Sequence, residues 1–237
     1  IMDKNIYNVF VNLSTTKISV ATFKDSRNHS ISFKEYNCAI DFNDDEFNHQ
    51  AIKKTIEELT FETEKITDSF LNDIYLMIDL PGLKKISLSL MKDHEGNKIE
   101  IKDIQYLVQD ARQQILSFNN DKEIIHIIIK SYNLDNIRYK NLPKEINCRK
   151  FSLDIEFICL PKTLISKLDD LFNNNTISIK KIISTEYVKN FYNIAIDQNI
   201  CETGYKLVAG LNKQEVVIIP KKVQIKGFFE RFFYLFK

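Results

Sequence analysis

The sequence has 237 residues, a formal net charge of +1, 44% hydrophobic residues and only 5 glycines and 4 prolines. That length allows one or two domains with a sizeable core. The balanced charge points away from a nucleic-acid partner, and so few glycines leave little room for a glycine-rich catalytic loop.

Four cysteines, Cys38, Cys148, Cys159 and Cys201, are scattered without a C-x-x-C pair. They signal neither a zinc site nor a disulfide framework and read as reduced, buried thiols of a cytosolic protein. No apolar signal segment opens the sequence, and no run approaches the roughly 20 apolar residues that span a bilayer.

The first elements read as strands. Ile6–Leu13 is a mostly apolar run and Ile18–Phe23 is β-branched. Ser30–Cys38 alternates, with Ile31, Phe33 and Tyr36 expected inward, which completes a three-stranded meander. Asn43-Asp44-Asp45 suits a helix start, and Phe47, Ala51, Ile52, Ile56, Leu59 and Ile66 follow at helical spacing. Asp44, Asp45 and Glu46 therefore read as the acidic first turn of a helix, not as a metal cluster. Ile74–Ile78 is a short buried strand.

A second module is expected from Lys84. It runs strand (Ile86–Leu90), helix (Ile104, Leu107, Val108, Ala111, Ile115), strand (Ile124–Lys130), strand (Phe151–Cys159), helix (Thr163–Phe172) and strand (Ser178–Ile183). Beyond it, Thr185–Asp197 reads as a helix. Tyr205–Leu211 and Glu215–Ile219 read as a hairpin about Asn212-Lys213.

Three stretches carry a family resemblance. Ile124–Asp135, IIHIIIKSYNLD, resembles I-L-H-V-I-P-Q-E-Y-x-I-D, the pattern of FtsA, the actin-like bacterial cell-division protein that ties the cytokinetic ring to the membrane. His126, Tyr132 and Asp135 are kept, and the family proline is Ile129. Pro143–Cys159 fits the family's next segment without gaps, with its two glycines replaced by Glu145 and Cys148. Thr185-Glu186-Tyr187 stands where the family often has S-P-Y. The resemblance implies an α/β fold: a partial actin-like (ribonuclease-H-like) domain bearing an inserted SHS2-like subdomain, called 1C, and a C-terminal amphipathic helix. The implied division is residues 1–83 for the first actin-like subdomain, 84–183 for the insert, 184–225 for a remnant of the second half or a return to the first, and 226–237 for the membrane-targeting helix.

The departures are specific. The family's phosphate-binding turn, D-I-G-T-x-K, is here Asn12-Leu13-Ser14-Thr15-Thr16-Lys17, so Thr15 and Lys17 survive but the acid and glycine do not. The second phosphate motif is expected at Asp197–Glu202, which has no glycine; alternatively, Gly204–Leu211 matches the family's closing A-T-A-x-G-L-L helix. Phosphate loops need glycine for close backbone approach, and a carboxylate to position magnesium. Thr15 and Lys17 remain as a weak cofactor-binding turn, ATP is at most a possibility of family resemblance, and no ATPase is expected. His126 reads as a half-buried strand histidine, since no acid or cysteine lies near it by spacing.

The last stretch is KGFFERFFYLFK. At 100° per residue, Phe228, Phe229, Phe232, Phe233, Leu235 and Phe236 share one arc of about 160°. Glu230, Arg231, Tyr234 and Lys237 fill the rest. A helix of about 16 Å cannot span a bilayer but can lie in its interface. Arg231 and Lys237 add attraction to an anionic leaflet. The expected role is a membrane adaptor of the division machinery, peripheral on the inner face of the cell membrane at the division site. Its expected partners are anionic lipid, later division proteins and other FtsA-like subunits, with FtsZ docking in doubt because the half that carries it is missing. Two alternatives stand beside it: an actin-fold ATPase, or a degenerate remnant.

Overall fold

A computed structural model of the chain describes residues 6–25, 29–41, 49–79, 83–143, 145–192 and 199–217. In chain order they form β1 (Tyr7–Leu13), β2 (Lys17–Lys24), β3 (Ser32–Asn37), α1 (His49–Thr67), β4 (Asp73–Ile78), β5 (Lys84–Asp93), α2 (Ile101–Phe118), β6 (Lys122–Leu134), β7 (Ile137–Tyr139), β8 (Lys150–Pro161), α3 (Lys162–Asn173), β9 (Ser178–Ser184), α4 (Thr185–Tyr192) and α5 (Ile200–Val208). Asp44, Asp45, Glu46, Phe47 and the whole amphipathic tail from Phe228 to Lys237 lie outside the described residues.

The first sheet has the order β3-β2-β1-β4-β9. β2 runs antiparallel to both neighbours, whereas β1, β4 and β9 are parallel. Its central strands are apolar on both faces, because both faces are covered. Val9, Val11, Leu13, Ile18, Val20, Ile74, Leu76 and Ile78 face one core, with Ile52, Ile56 and Leu59 of α1 and Leu168, Leu171 and Phe172 of α3. Phe10, Ala21, Phe23 and Met77 face the other, under Tyr187 and Val188 of α4 and Cys201 and Leu207 of α5. α5 lies close to the sheet: a Cβ at Gly204 would come within 2.7 Å of Met77 Sδ.

The second sheet, β5-β8-β6-β7, is wholly antiparallel. Its inner face packs Ile127, Ile129, Phe151, Leu153, Ile155 and Phe157 against Leu107, Val108, Ala111 and Ile115 of α2. A reciprocal capping box between Glu100 and Asp103 starts that helix.

Three expectations are corrected by these contacts, and one open alternative is decided. The insert ends at Pro161, not at residue 183. β9 hydrogen-bonds to β4, and α3 packs in the first sheet's core, so both belong to the first subdomain. Tyr205–Leu211 is not a hairpin strand, since helix α5 runs through Val208 and Glu215 pairs instead with Ile128. Of the two readings left open after residue 183, α4 and α5 follow the return to the first subdomain, because both cover its sheet. On edge strand β3 only Tyr36 turns toward the α1 core; Ile31 and Phe33 are exposed.

The fragment Leu83–Pro161 is expected to melt cooperatively on its own, with its own sheet, helix and core. Phe157→Ala is expected to cost it about 3–5 kcal/mol. Circular-dichroism melts check both, and a non-cooperative melt of the parent fragment contradicts the boundary.

Candidate functional site

Two places bring sequence-predicted residues together. The first is the turn between β1 and β2. It opens on a cleft of about 760 Å³ lined by Asn12, Ser14, Thr15, Lys17, Glu35, Asp79, Thr185 and Lys189, among others. The polar groups of the turn satisfy one another. The Ser14 hydroxyl donates to Lys17 O at 2.9 Å and accepts from Lys17 N–H at 3.1 Å, while Ser14 N–H donates to Lys17 O at 3.0 Å. Asn12, at the end of β1, accepts at Oδ1 from the Thr185 hydroxyl at 2.6 Å, and both residues are buried. The Thr15 and Thr16 carbonyls accept N–H groups from Ile40 and Cys38.

The charges of the cleft are matched as well. Lys17 meets Glu35 at 2.5 Å and Lys189 meets Asp79 at 2.9 Å, so these four residues leave no surplus positive charge for a phosphate chain. The Lys17 hydrogen bond also holds the Glu35 carboxyl below its ordinary range. The structure thus places Thr15 and Lys17 at one cleft, but with Lys17 spoken for. The Asp197–Glu202 stretch supplies no second loop within the described residues. Asn199 caps α5 by accepting from Glu202 N–H at 3.0 Å, and the buried Glu202 accepts at Oε1 from the N–H and hydroxyl of Ser30. Helix α5 runs through Gly204–Val208 of the stretch read as a closing helix.

The second place is where the insert meets the first sheet. The His126 side chain is only 1% exposed, so it is buried, not half-buried as its strand position suggested. Its Nε2 accepts from Ser184 N–H at 3.0 Å, where β9 passes into α4. The ring proton therefore sits on Nδ1, which donates to Glu215 Oε1 at 2.8 Å. Glu215 also accepts from Lys181 Nζ at 3.0 Å and from the Tyr187 hydroxyl at 2.9 Å, and Asn212 Nδ2 donates to that Tyr187 oxygen at 2.8 Å.

Backbone bonds lock the same segment to β6. Ile129 N–H donates to Gln214 O and Val216 N–H donates to Ile127 O. Beside this junction a groove of about 590 Å³ runs between β6 and β9. Sequence spacing could not supply the acid partner of His126, because Glu215 lies 89 residues away. The local signal was a charged residue at the head of the apolar run Val216–Ile219.

Electrostatics follow from burial. Burial lowers the His126 pKa, and protonation at Nε2 would set two N–H groups against each other. Burial raises the Glu215 carboxyl, but the His126 hydrogen bond and the Lys181 ammonium outweigh it and hold it at about 2. Burial pushes the Cys201 thiol up to about 12, and all four cysteines are free and buried, as the sequence suggested. Among the described residues no group of three or more His, Cys, Asp or Glu side chains can hold a metal, and no helix is long and apolar enough to cross a membrane.

The comparisons with known proteins follow this geometry. A family model described as the SHS2 domain inserted in FtsA matches residues 83–159, which is the insert bounded by strand pairing. No curated protein matches the chain. Among solved structures, the chain is similar to one titled "PilM-PilN type IV pilus biogenesis complex" at 6% identity, over 80% of this chain and 50% of that one, with a TM-score of 0.48. It is similar to the cytoplasmic domain of EpsL, an inner membrane component of the type II secretion system of Vibrio cholerae, at 12% identity, over 77% and 57%, with a TM-score of 0.37. It is also similar to a Bacteroides thetaiotaomicron protein of actin-like ATPase fold and unknown function, at 13% identity, over 81% and 58%, with a TM-score of 0.33. The chain spans little more than half the length of these structures.

The junction makes stability fall in acid. His126 stays neutral in the fold, whereas the unfolded chain takes up its proton near 6.5, so this contribution is complete above that pH and is lost as pH falls through it. Glu215 adds stability that is complete above 4.5 and is lost as pH falls toward about 2. Urea melts from pH 8 to pH 5 are expected to show a one-proton decline that His126→Gln flattens; an equal decline in the variant contradicts the assignment. Residues 83–159 thus carry an SHS2 domain of the type inserted in FtsA, set between β4 and α3 of the five-stranded sheet.

Proposed function

We propose that this protein is a membrane-bound adaptor of the cell-division machinery that works without a nucleotide cycle. The observation that carries the reading is an FtsA-type SHS2 domain, residues 83–159, on an actin-like sheet whose phosphate turn is closed on itself. The SHS2 domain is the protein-docking part in this reading, and its partners are later division proteins and other FtsA-like subunits. Anionic lipid is the second partner, taken by Phe228, Phe229, Phe232, Phe233, Leu235 and Phe236 together with Arg231 and Lys237. The protein acts on the inner face of the membrane, at the division site.

The absence of a nucleotide cycle rests on charge and packing. Ser14 stands where the family has glycine and Asn12 where it has the acid. The Asn12 amide is already engaged by Thr185, and Lys17 by Glu35. Titration calorimetry with magnesium-ATP at millimolar concentration is expected to show no saturable binding and no turnover; micromolar affinity overturns this part.

The membrane part is tested by co-sedimentation with vesicles containing anionic lipid. The parent is expected to bind, and Phe232→Glu with Phe233→Glu is expected to abolish binding, because two carboxylates in the middle of the apolar arc resist leaving water. Salt is expected to weaken the parent only in part, since screening removes the cationic contribution and leaves phenylalanine burial. A parent that ignores vesicles, with a double variant that unfolds, contradicts the adaptor reading.

A further inference from the structure

The groove beside the His126 junction lies between two strand edges that no strand covers among the described residues. One is β9, outermost in the first sheet; the other is the start of β6, which meets β8 on its far side. Its walls are apolar, with Ile124 and Ile125 of β6, Ile165 of α3 and Ile179 of β9 all left half-buried. Two carboxylates stand at the same groove, Glu123 and Asp169, and neither has a charge partner among the described residues. A segment of the chain already leads into it. Gln214–Val216 runs antiparallel to β6 with Glu215 opposite Ile128, and Val217, the last described residue, lines the groove and is 67% exposed.

The sequence goes on Ile218-Ile219-Pro220-Lys221-Lys222. We propose that Val217–Pro220 continues along β6 as a strap that fills the groove, and that Lys221 and Lys222 meet Glu123 and Asp169 at its end. The direction follows from the pairing in place. A strand that puts Glu215 beside Ile128, and bonds Val216 N–H to Ile127 O, next passes His126 and then the bulge at Ile124–Ile125. Alternation sets Ile218 on the side of Val216, over the insert's core, and Ile219 on the side of Val217, facing Ile165 and Ile179 of the first core. Backbone groups alternate too. The Ile218 amide points at β6 as that of Val216 does, and the next such position is Pro220, which has no N–H and ends the pairing. Four residues span about 13 Å, the length of β6 from Ile127 back to Glu123, so the lysines arrive where the unpaired carboxylates stand. Only three residues, Val223–Ile225, then separate Lys222 from Lys226. The strap thus fixes the side of the molecule from which the tail leaves, whether or not the tail binds lipid.

Amide hydrogen exchange on the full chain, without vesicles, reads the strap directly. The Ile218 amide is expected to be protected in the parent. Ile219→Asp, which sets a carboxylate against Ile165 and Ile179, is expected to speed its exchange at least about ten-fold while the amides of β1 stay protected, so that the fold is known to be intact. Carbodiimide joins an amine to a carboxylate in contact. It is expected to link Lys221 or Lys222 to Glu123 or Asp169 within one chain, and Glu123→Gln with Asp169→Asn is expected to remove those links. Phe232→Glu with Phe233→Glu is expected to leave both readings unchanged, so the strap stands or falls apart from lipid binding. In a mixture of isotope-labelled and unlabelled chains, links between the two kinds place a second copy in the groove. An Ile218 amide that exchanges like an exposed loop in the parent leaves the groove open to an outside peptide. Either result overturns the proposal, as does the absence of the lysine–carboxylate links.

Discussion

The fold depends on one buried hydrogen-bond network, in which His126 of the insert holds Glu215 and accepts from the backbone of Ser184. An inserted domain joined by two chain crossings would ordinarily move against its host, because small polar interfaces between domains permit it. Here five polar groups converge where β6, β9, α4 and residues 212–216 meet, and each carries a defined donor or acceptor role. A buried carboxylate is costly unless fully bonded, and Glu215 is bonded by an imidazole, an ammonium and a phenol. The arrangement therefore specifies one docking geometry of the insert on the first sheet.

The same economy explains the cleft. In a nucleotide site, unpaired donors and a net positive field wait for phosphate. At the β1–β2 turn Lys17 and Lys189 are matched by Glu35 and Asp79, and Ser14 closes the turn with its own hydroxyl. α4 and α5 then cover the sheet directly, so the first sheet sits in a three-layer core.

Much of this was legible in the sequence, for definite reasons. Runs such as Tyr7–Leu13 and the alternation of Phe151–Cys159 fix strands, because burial on two faces and on one face leave different patterns. The motif around His126 placed the insert, but not its far boundary. Sequence order cannot show that β9 pairs with β4, since the decision is made by backbone bonds between strands about a hundred residues apart. Tyr205–Leu211 stood open between a hairpin strand and a closing helix; the structure makes Ile200–Val208 a helix, and Gly204 lets it approach Met77. At Asn12–Lys17 the sequence shows which residues form the turn, but the partners that occupy it, Thr185 and Glu35, come from distant strands and helices.

Amide hydrogen exchange at Ser184 and Val216 tests the central claim most directly, since both amides exist as bonded groups only while the insert is docked. The account predicts that both are protected as strongly as the amides of β1 in the parent, and that Glu215→Gln weakens both while leaving the β5–β8 pairing protected. Exchange at Ser184 and Val216 at the rate of an exposed loop in the parent chain would show that the insert is not held by this network.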